Sequence, residues 1–135
     1  MARNFNNVMW RYWVPVLCYA GLIFFLSDQP HPEEYVPVFA FQGGDKLGHA
    51  LEYSVLGILC YRAFRHAAGE WASRYALYLA IVASIGYGVS DEFHQYFVPL
   101  RKADGWDVLA DTIGASLGAW GWCRGWRLVQ LINNN

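Results

Sequence analysis

Four long apolar segments alternate with polar stretches along the chain. They cover residues 9–27, 46–64, 73–97 and 104–123, and the stretches 12–27 and 75–89 contain no charged residue. A helix needs about 20 residues to cross a hydrocarbon layer of about 30 Å. Arginines and aromatic residues at the segment ends extend them toward that length and are typical of membrane interfaces. The pattern predicts an all-α integral membrane protein with four transmembrane helices in one domain, residues 1–135.

Composition favours a membrane protein over a soluble one. Of the 135 residues, 56% are hydrophobic and 16% are charged, whereas soluble domains are about 25% charged. A soluble domain of this size exposes much of its surface and has little room to hide so many apolar side chains. A soluble bundle of very hydrophobic helices is the alternative. The net charge of −1 gives no reason to expect nucleic-acid binding.

Basic residues predict the orientation of the four helices. Because four spans put both termini on one side, the loops fall into two groups, and the group richer in lysine and arginine lies in the cytoplasm. Seven of the ten basic residues belong to the termini and the loop between the second and third segments. All acids except Glu70 belong to the other group. The predicted topology is N-in, C-in.

Polar residues gather at one end of three segments. They occur in DKLGHALEY (45–53), SDEFHQYF (90–97) and DGWDVLAD (104–111), which all lie at the outer side in the predicted topology. The polar residues of helices 2, 3 and 4 are therefore expected to converge there. Helical spacing places three sets each on one helix face: His49, Glu52 and Tyr53; Asp91, His94 and Gln95; and Asp104, Asp107 and Asp111.

A purely structural role explains some of these acidic residues better than others. Asp45 and Asp104 stand where helices begin, so they suit N-terminal caps. Glu52 and Asp111 lie deeper, where an ionised carboxylate is costly unless it is paired, hydrated or bound to a metal. Asp91 stands near a helix C-terminus, where acids are unfavourable. Two interpretations of these residues are open, a structural polar network and a functional site. The deep acids favour the functional site.

Three sequence blocks carry a resemblance. LSDQP (26–30), DKLGHALEYSVLG (45–57) and SDEFHQYFVPLRKADGWDVLADTIGASLG (90–118), in this order, resemble the VanZ-like membrane family over nearly the whole chain. The resemblance implies a four-helix protein of the bacterial inner membrane, linked to low-level resistance to the glycopeptide teicoplanin. Leu100 departs from the pattern, since many relatives have glycine there. The family's motif positions fall on Asp45, Lys46, His49, Tyr53, Glu92, Gln95, Arg101, Asp107, Asp111 and Gly114.

The polar residues divide by chemistry into candidate roles. A carboxylate beside an imidazole suits acid–base catalysis near neutral pH, and Arg101 and Lys46 suit an anion. The candidate catalytic residues are His49, Glu52, Asp91, Glu92, His94, Asp107 and Asp111. The candidate ligand-binding residues are Asp45, Lys46, Tyr53, Gln95 and Arg101.

A divalent transition metal is one candidate cofactor. His/carboxylate pairs at i, i+3 on two helices resemble the spacing of metal-binding bundles, and mixed N/O ligands suit zinc, iron or manganese. The predicted ligands are His49, Glu52, Asp91, His94 and Asp111.

The expected ligands are membrane lipids and, at the outer site, the head group of a cell-envelope lipid, a lipid-linked wall precursor or a glycopeptide. Whether the protein is an enzyme stays open, because no serine or cysteine nucleophile lies beside a candidate base. The alternatives are a non-catalytic binding or accessory protein and a small transporter, which four helices would form as a homo-oligomer.

The topology predicts which loops a membrane-impermeant reagent reaches. Single cysteines at Gln42 and Ala68 should show opposite sidedness, with Gln42 labelled from outside intact cells and Ala68 protected. Equal labelling of both from outside would contradict the four-span arrangement.

Overall fold

All regular secondary structure in the described part of the chain is helical. The computed structural model describes residues 5–31, 34–36 and 43–133, and these ranges contain no strand. This confirms the all-α class. The helices are α1 (Phe5–Ser27), α2 (Gly44–Ala67), α3 (Gly69–Arg74), α4 (Ala76–Gln95) and α5 (Gly105–Asn133).

The helix bounds differ from the predicted segments in two places. The segment 73–97 begins inside the short helix α3, which starts at Gly69 with a left-handed φ of 84° and is followed by a break at Tyr75. Helix α5 continues to Asn133 rather than ending at 123, because apolar residues resume after Arg127. The predicted loop 27–44 lies partly outside the described residues.

The four long helices run in alternating directions. The Gln95 amide donates to the Ser27 hydroxyl, so α1 and α4 end at the same level. His49 contacts Asp111 there, so α2 and α5 begin at this level, which we call the polar end. At the opposite level, the basic end, the ring of Tyr12 stacks on His66, which packs against Trp126.

Many large apolar side chains lie on the outside of the helix bundle. The buried core is rich in small residues, such as Ala80, Ala115 and Ala119. Large apolar side chains are exposed on every long helix, including Leu17 at 67%, Leu51 at 53%, Val82 at 67% and Leu117 at 62%. Exposed apolar surface on this scale marks contact with a membrane or with another protein.

One helix among the described residues is long and apolar enough to cross a membrane when judged alone. It is Asn7–Ser27 in α1, with a mean hydropathy of 1.4. Of its most apolar stretch of 18 residues, 11% are buried. Polar residues at the polar end lower the hydropathy of the other long helices. The four-span topology and its orientation are therefore still predictions.

The closest helix contact joins α2 and α5, and glycines make it possible. A Cβ added at Gly114 would overlap the Ala50 carbonyl, and one at Gly118 would overlap the Ser54 carbonyl. Gly57 faces the Ala115 backbone in the same way. Small residues four apart let helix backbones approach when apolar burial adds little drive for association.

The turn between α4 and α5 contains a strained residue. Leu100 has a φ of 67°, in the left-handed region where a Cβ costs about 1–2 kcal/mol and glycine is favoured. Glycine would adopt this conformation without strain.

Gly114→Ala should destabilise the fold by about 1–3 kcal/mol, the usual cost of overpacking. Its methyl group would push α5 away from the Ala50 carbonyl. Gly121→Ala in the same helix is the matched control, because no described atom outside the surrounding helix backbone lies within 4 Å of an added Cβ. Thermal unfolding in detergent checks both variants. Equal melting temperatures for the two would show that the α2–α5 contact is not tight.

Candidate functional site

Lys46 joins the start of α2 to the start of α5. Its Nζ donates to Asp107 Oδ1 at 2.6 Å and to Asp104 Oδ2 at 2.9 Å, and lies 3.8 Å from Asp45 Oδ2. Asp107 is buried, whereas Lys46 reaches solvent. The ammonium group therefore compensates a buried carboxylate, and its charge is not free for an external anion.

Asp104 acts as the N-terminal cap of α5. Its Oδ1 accepts the backbone N–H of Trp106 at 2.9 Å, as the sequence predicted for an acid at this position. The Lys46 hydrogen bond, and then this backbone bond, hold the pKa of Asp104 below its usual value. Asp45 lies within the first turn of α2, after a Gly43 cap that makes no side-chain hydrogen bond.

His49 lies one turn deeper than Lys46 and pairs with Asp111. Its Nδ1 is 3.0 Å from Asp111 Oδ1, and both side chains are buried. Its Nε2 lies 3.9 Å from Asp107 Oδ2 and 4.0 Å from Asp45 Oδ1. Gly88 of α4 makes room for this pair, since an added Cβ would lie 2.7 Å from Asp111 Oδ2.

Gln95 connects α1, α4 and the following turn. Its Nε2 donates to Ser27 Oγ at 2.8 Å and to Asp91 Oδ2 at 3.1 Å, and its Oε1 accepts from Arg101 Nη2 at 2.8 Å. Arg101 is thus held by a neutral amide. Among the described residues, no carboxylate lies within 4.0 Å of its guanidinium.

Glu92 fixes the end of the turn. Its Oε2 accepts the backbone N–H of Asp104 at 2.7 Å, so α4 and the start of α5 are joined directly. One oxygen of this acid has a structural role, and the other does not.

A small cavity lies between these groups. The centre of a water molecule can move within about 10 Å³ of it. The polar residues that line the cavity include His49, Glu52, Asp91, Gln95 and Arg101. That volume admits about one water. Several buried oxygens at the polar end find no hydrogen-bond partner among the described residues: Glu52 Oε1, Tyr53 Oη, Asp91 Oδ1, Glu92 Oε1 and Asp111 Oδ2. Of these residues, Glu52 and Asp91 line the cavity.

Such oxygens are expensive for a fold. A buried polar atom without a partner costs about 1–3 kcal/mol, and more when charged. Packing or capping does not explain five of them at one end of a bundle. Their clustering indicates that this region is built to face protons, water or a bound group.

The structure gathers most of the predicted site residues but not His94. His94 Nε2 lies 3.1 Å from Asp28 Oδ1, its ring packs on Phe24, and it is 30% exposed. Asp91 and His94 share part of a helix face, but α1 packs beside His94, so the imidazole meets Phe24 and Asp28 rather than the other site residues. Ser27, a buried partner of Gln95, was not among the predicted residues, although the LSDQP block contains it.

The group of possible metal ligands in the structure differs from the predicted one. Among the described residues, Asp45, His49 and Asp107 offer ligand atoms within 4.8 Å of one another. This group shares only His49 with the predicted set of His49, Glu52, Asp91, His94 and Asp111. Lys46 Nζ contacts Asp107 and lies near Asp45, so an ammonium group stands beside these ligands where a metal ion needs them free. A metal at the five predicted ligands stays a prediction.

Lys46→Met should lower the free energy of unfolding by about 1.5–3 kcal/mol, the range for hydrogen bonds to charged groups. The change leaves the buried Asp107 carboxylate without its counter-charge, so adding Asp107→Asn should recover part of the loss. Lys102→Met, at an exposed position of the adjacent turn, is the control. Unfolding in detergent measures all three. If Lys102→Met were as damaging as Lys46→Met, the charge pairing would not matter.

Comparison with known proteins identifies the family. A family model described as VanZ/LLP1 matches residues 10–129, which includes every site residue named above. No curated protein and no solved structure matches the chain. Since the model covers most of the sequence, and the VanZ-like resemblance of the three blocks agrees with it, the chain belongs to the VanZ/LLP1 family.

Proposed function

We propose that this chain is a multi-pass protein of the bacterial cytoplasmic membrane, with α1, α2, α4 and α5 as its four spans and both termini inside. Exposed apolar side chains on all four helices support this, as does the separation of acids at the polar end from arginines at the basic end. In this orientation the polar end faces outward.

We propose further that the polar end binds the phosphate-bearing head group of an outer-leaflet envelope lipid or lipid-linked wall precursor. The observation that carries the proposal is Arg101, held by Gln95 at a cavity that Glu52 and Asp91 also line. Its guanidinium offers bidentate hydrogen bonds to a phosphate. The carboxylate oxygens accept hydrogen bonds from the hydroxyl or amino groups that such head groups also carry.

Binding of a wall precursor gives the link to glycopeptide resistance of the teicoplanin type. These antibiotics act on the same outer-surface material that the polar end would hold. A protein that occupies the precursor changes how much of it the antibiotic reaches, and this needs no chemical step. Binding is therefore the primary function that we assign.

Hydrolysis of the phosphate ester is the second candidate, favoured by one observation. Glu52 Oε1 and Asp91 Oδ1 are buried without partners beside a cavity that admits about one water. A carboxylate there would take a proton from water as the water oxygen bonds to phosphorus. The bond from phosphorus to the leaving oxygen breaks, and that oxygen accepts a proton from the protonated acid.

A binding measurement on protein in lipid nanodiscs tests both candidates. Farnesyl diphosphate, a short-chain polyprenyl diphosphate, serves as the probe, and released phosphate is measured in the same samples. Saturable binding without phosphate release supports the primary function. Phosphate release that depends on Glu52 and Asp91 supports hydrolysis. No binding and no release would contradict both.

Arg101→Lys should leave the protein folded and inserted but remove most of its effect. Lysine keeps the charge but loses the planar pair of donors, so we expect about tenfold weaker binding of farnesyl diphosphate. Teicoplanin tolerance of cells expressing the variant should fall accordingly. Lys102→Met is the control at an exposed neighbour. Full tolerance in Arg101→Lys would show that this residue contributes charge alone, and loss of the folded protein would show a structural role instead.

A further inference from the structure

A second cavity lies at the basic end, at the opposite end of the helices from the residues of the polar end. It measures about 620 Å³, within the range of about 300–1,000 Å³ typical of small-molecule sites. Helices α1, α2 and α5 form its walls. The lining side chains that matter here are Arg11, Tyr12, Arg62, His66, Trp122 and Trp126.

Aromatic rings hold the two arginines of this cavity in place. The Arg62 Cζ lies 5.6 Å from the Trp122 ring centre and 6.0 Å from that of Tyr12. The Arg11 Cζ lies 5.7 Å from the Tyr12 ring centre. Stacking of this kind orders a guanidinium without neutralising it.

The charge of these arginines is uncompensated in the described part of the chain. No carboxylate there lies within 4.0 Å of Arg11 or Arg62, and none lines the cavity. Glu70, the acid of the α2–α4 connection, is exposed on α3 and does not reach the cavity wall. This contrasts with Lys46, whose charge two aspartates balance. The cavity is thus complementary to an anion.

We propose that this cavity binds the head group of an anionic phospholipid. The phosphate diester accepts hydrogen bonds from Arg11 and Arg62, and the glycerol and first acyl carbons lie against the rings of Tyr12 and Trp122. A lipid is favoured over free phosphate because amphipathic aromatic rings make up much of the wall and basic pockets between membrane helices bind such head groups. The assignment rests on the proposed membrane orientation, which places this end at the inner leaflet.

Native mass spectrometry of the full chain in detergent tests the proposal. The probes are phosphatidylglycerol, zwitterionic phosphatidylcholine of the same chains, and glycerol 3-phosphate. We expect phosphatidylglycerol to bind at least tenfold more tightly than the other two. Equal binding of phosphatidylcholine would show that acyl chains alone are recognised. Equal binding of glycerol 3-phosphate would show a site for free phosphate. Either result overturns the lipid assignment.

Arginine variants locate the binding. Arg11→Gln, on an exposed part of α1, should weaken phosphatidylglycerol binding about fivefold, and Arg62→Gln should do the same. Arg124→Gln is the matched control, since that arginine also stacks on a tryptophan, Trp120, but does not line the cavity. An equal loss in Arg124→Gln would show diffuse surface charge and would overturn the site. If Arg62→Gln does not fold, Arg11→Gln alone decides.

The test separates this site from the one at the polar end. Arg101→Lys should leave phosphatidylglycerol binding unchanged, and Arg11→Gln should leave the Arg101-dependent binding of farnesyl diphosphate unchanged. Failure of one assignment therefore does not carry over to the other. Loss of phosphatidylglycerol binding in Arg101→Lys would contradict a separate site at the basic end.

Discussion

The close approach of α2 and α5 is the constraint on which the polar end depends. Both helices begin at this end, and Gly114 and Gly118 let the α5 backbone rest on the carbonyl groups of α2. The same register that seats these glycines brings Lys46 to Asp107 and His49 to Asp111. If the helices were a methyl group further apart, hydrogen bonds of 2.6 and 3.0 Å would be lost along with the packing. The glycine packing and the charge pairs therefore depend on the same register of α2 and α5.

Helical spacing predicted a large share of the site, because it depends only on residues within one helix. It correctly put Asp107 and Asp111 on one face and His49 toward them, and it identified Asp104 as a cap. Helical spacing did not predict which neighbouring element each helix face contacts. His94 shares part of a face with Asp91 but meets Asp28, the residue after α1, and only the tertiary arrangement decides this.

The hydrophobic pattern of the sequence also did not predict two local features of the helices. The break that separates α3 from α4 falls at Tyr75, in a stretch without proline, and no change in hydropathy marks it. The left-handed Gly69 lies at the start of α3, where it separates α3 from α2. The length of α5 was underestimated because Arg124 and Arg127 resemble the end of a membrane span. Arginine is a good helix former, so a helix continues past the interface where a span would end.

The acids of the polar end fall into two groups with different physical explanations. Asp45, Asp104 and Asp107 stand at or near the N-termini of α2 and α5, where the helix dipole favours negative charge and Lys46 balances it. Glu52, Asp91 and Asp111 gain less from any helix end, and each keeps a buried oxygen without a partner among the described residues. Glu92 belongs to both groups, with one oxygen on the Asp104 amide and one unpaired. Stability accounts for the first group. The second group costs stability, and two of its members, Glu52 and Asp91, line the cavity beside Arg101. The proposed binding of a ligand at this cavity would account for that cost.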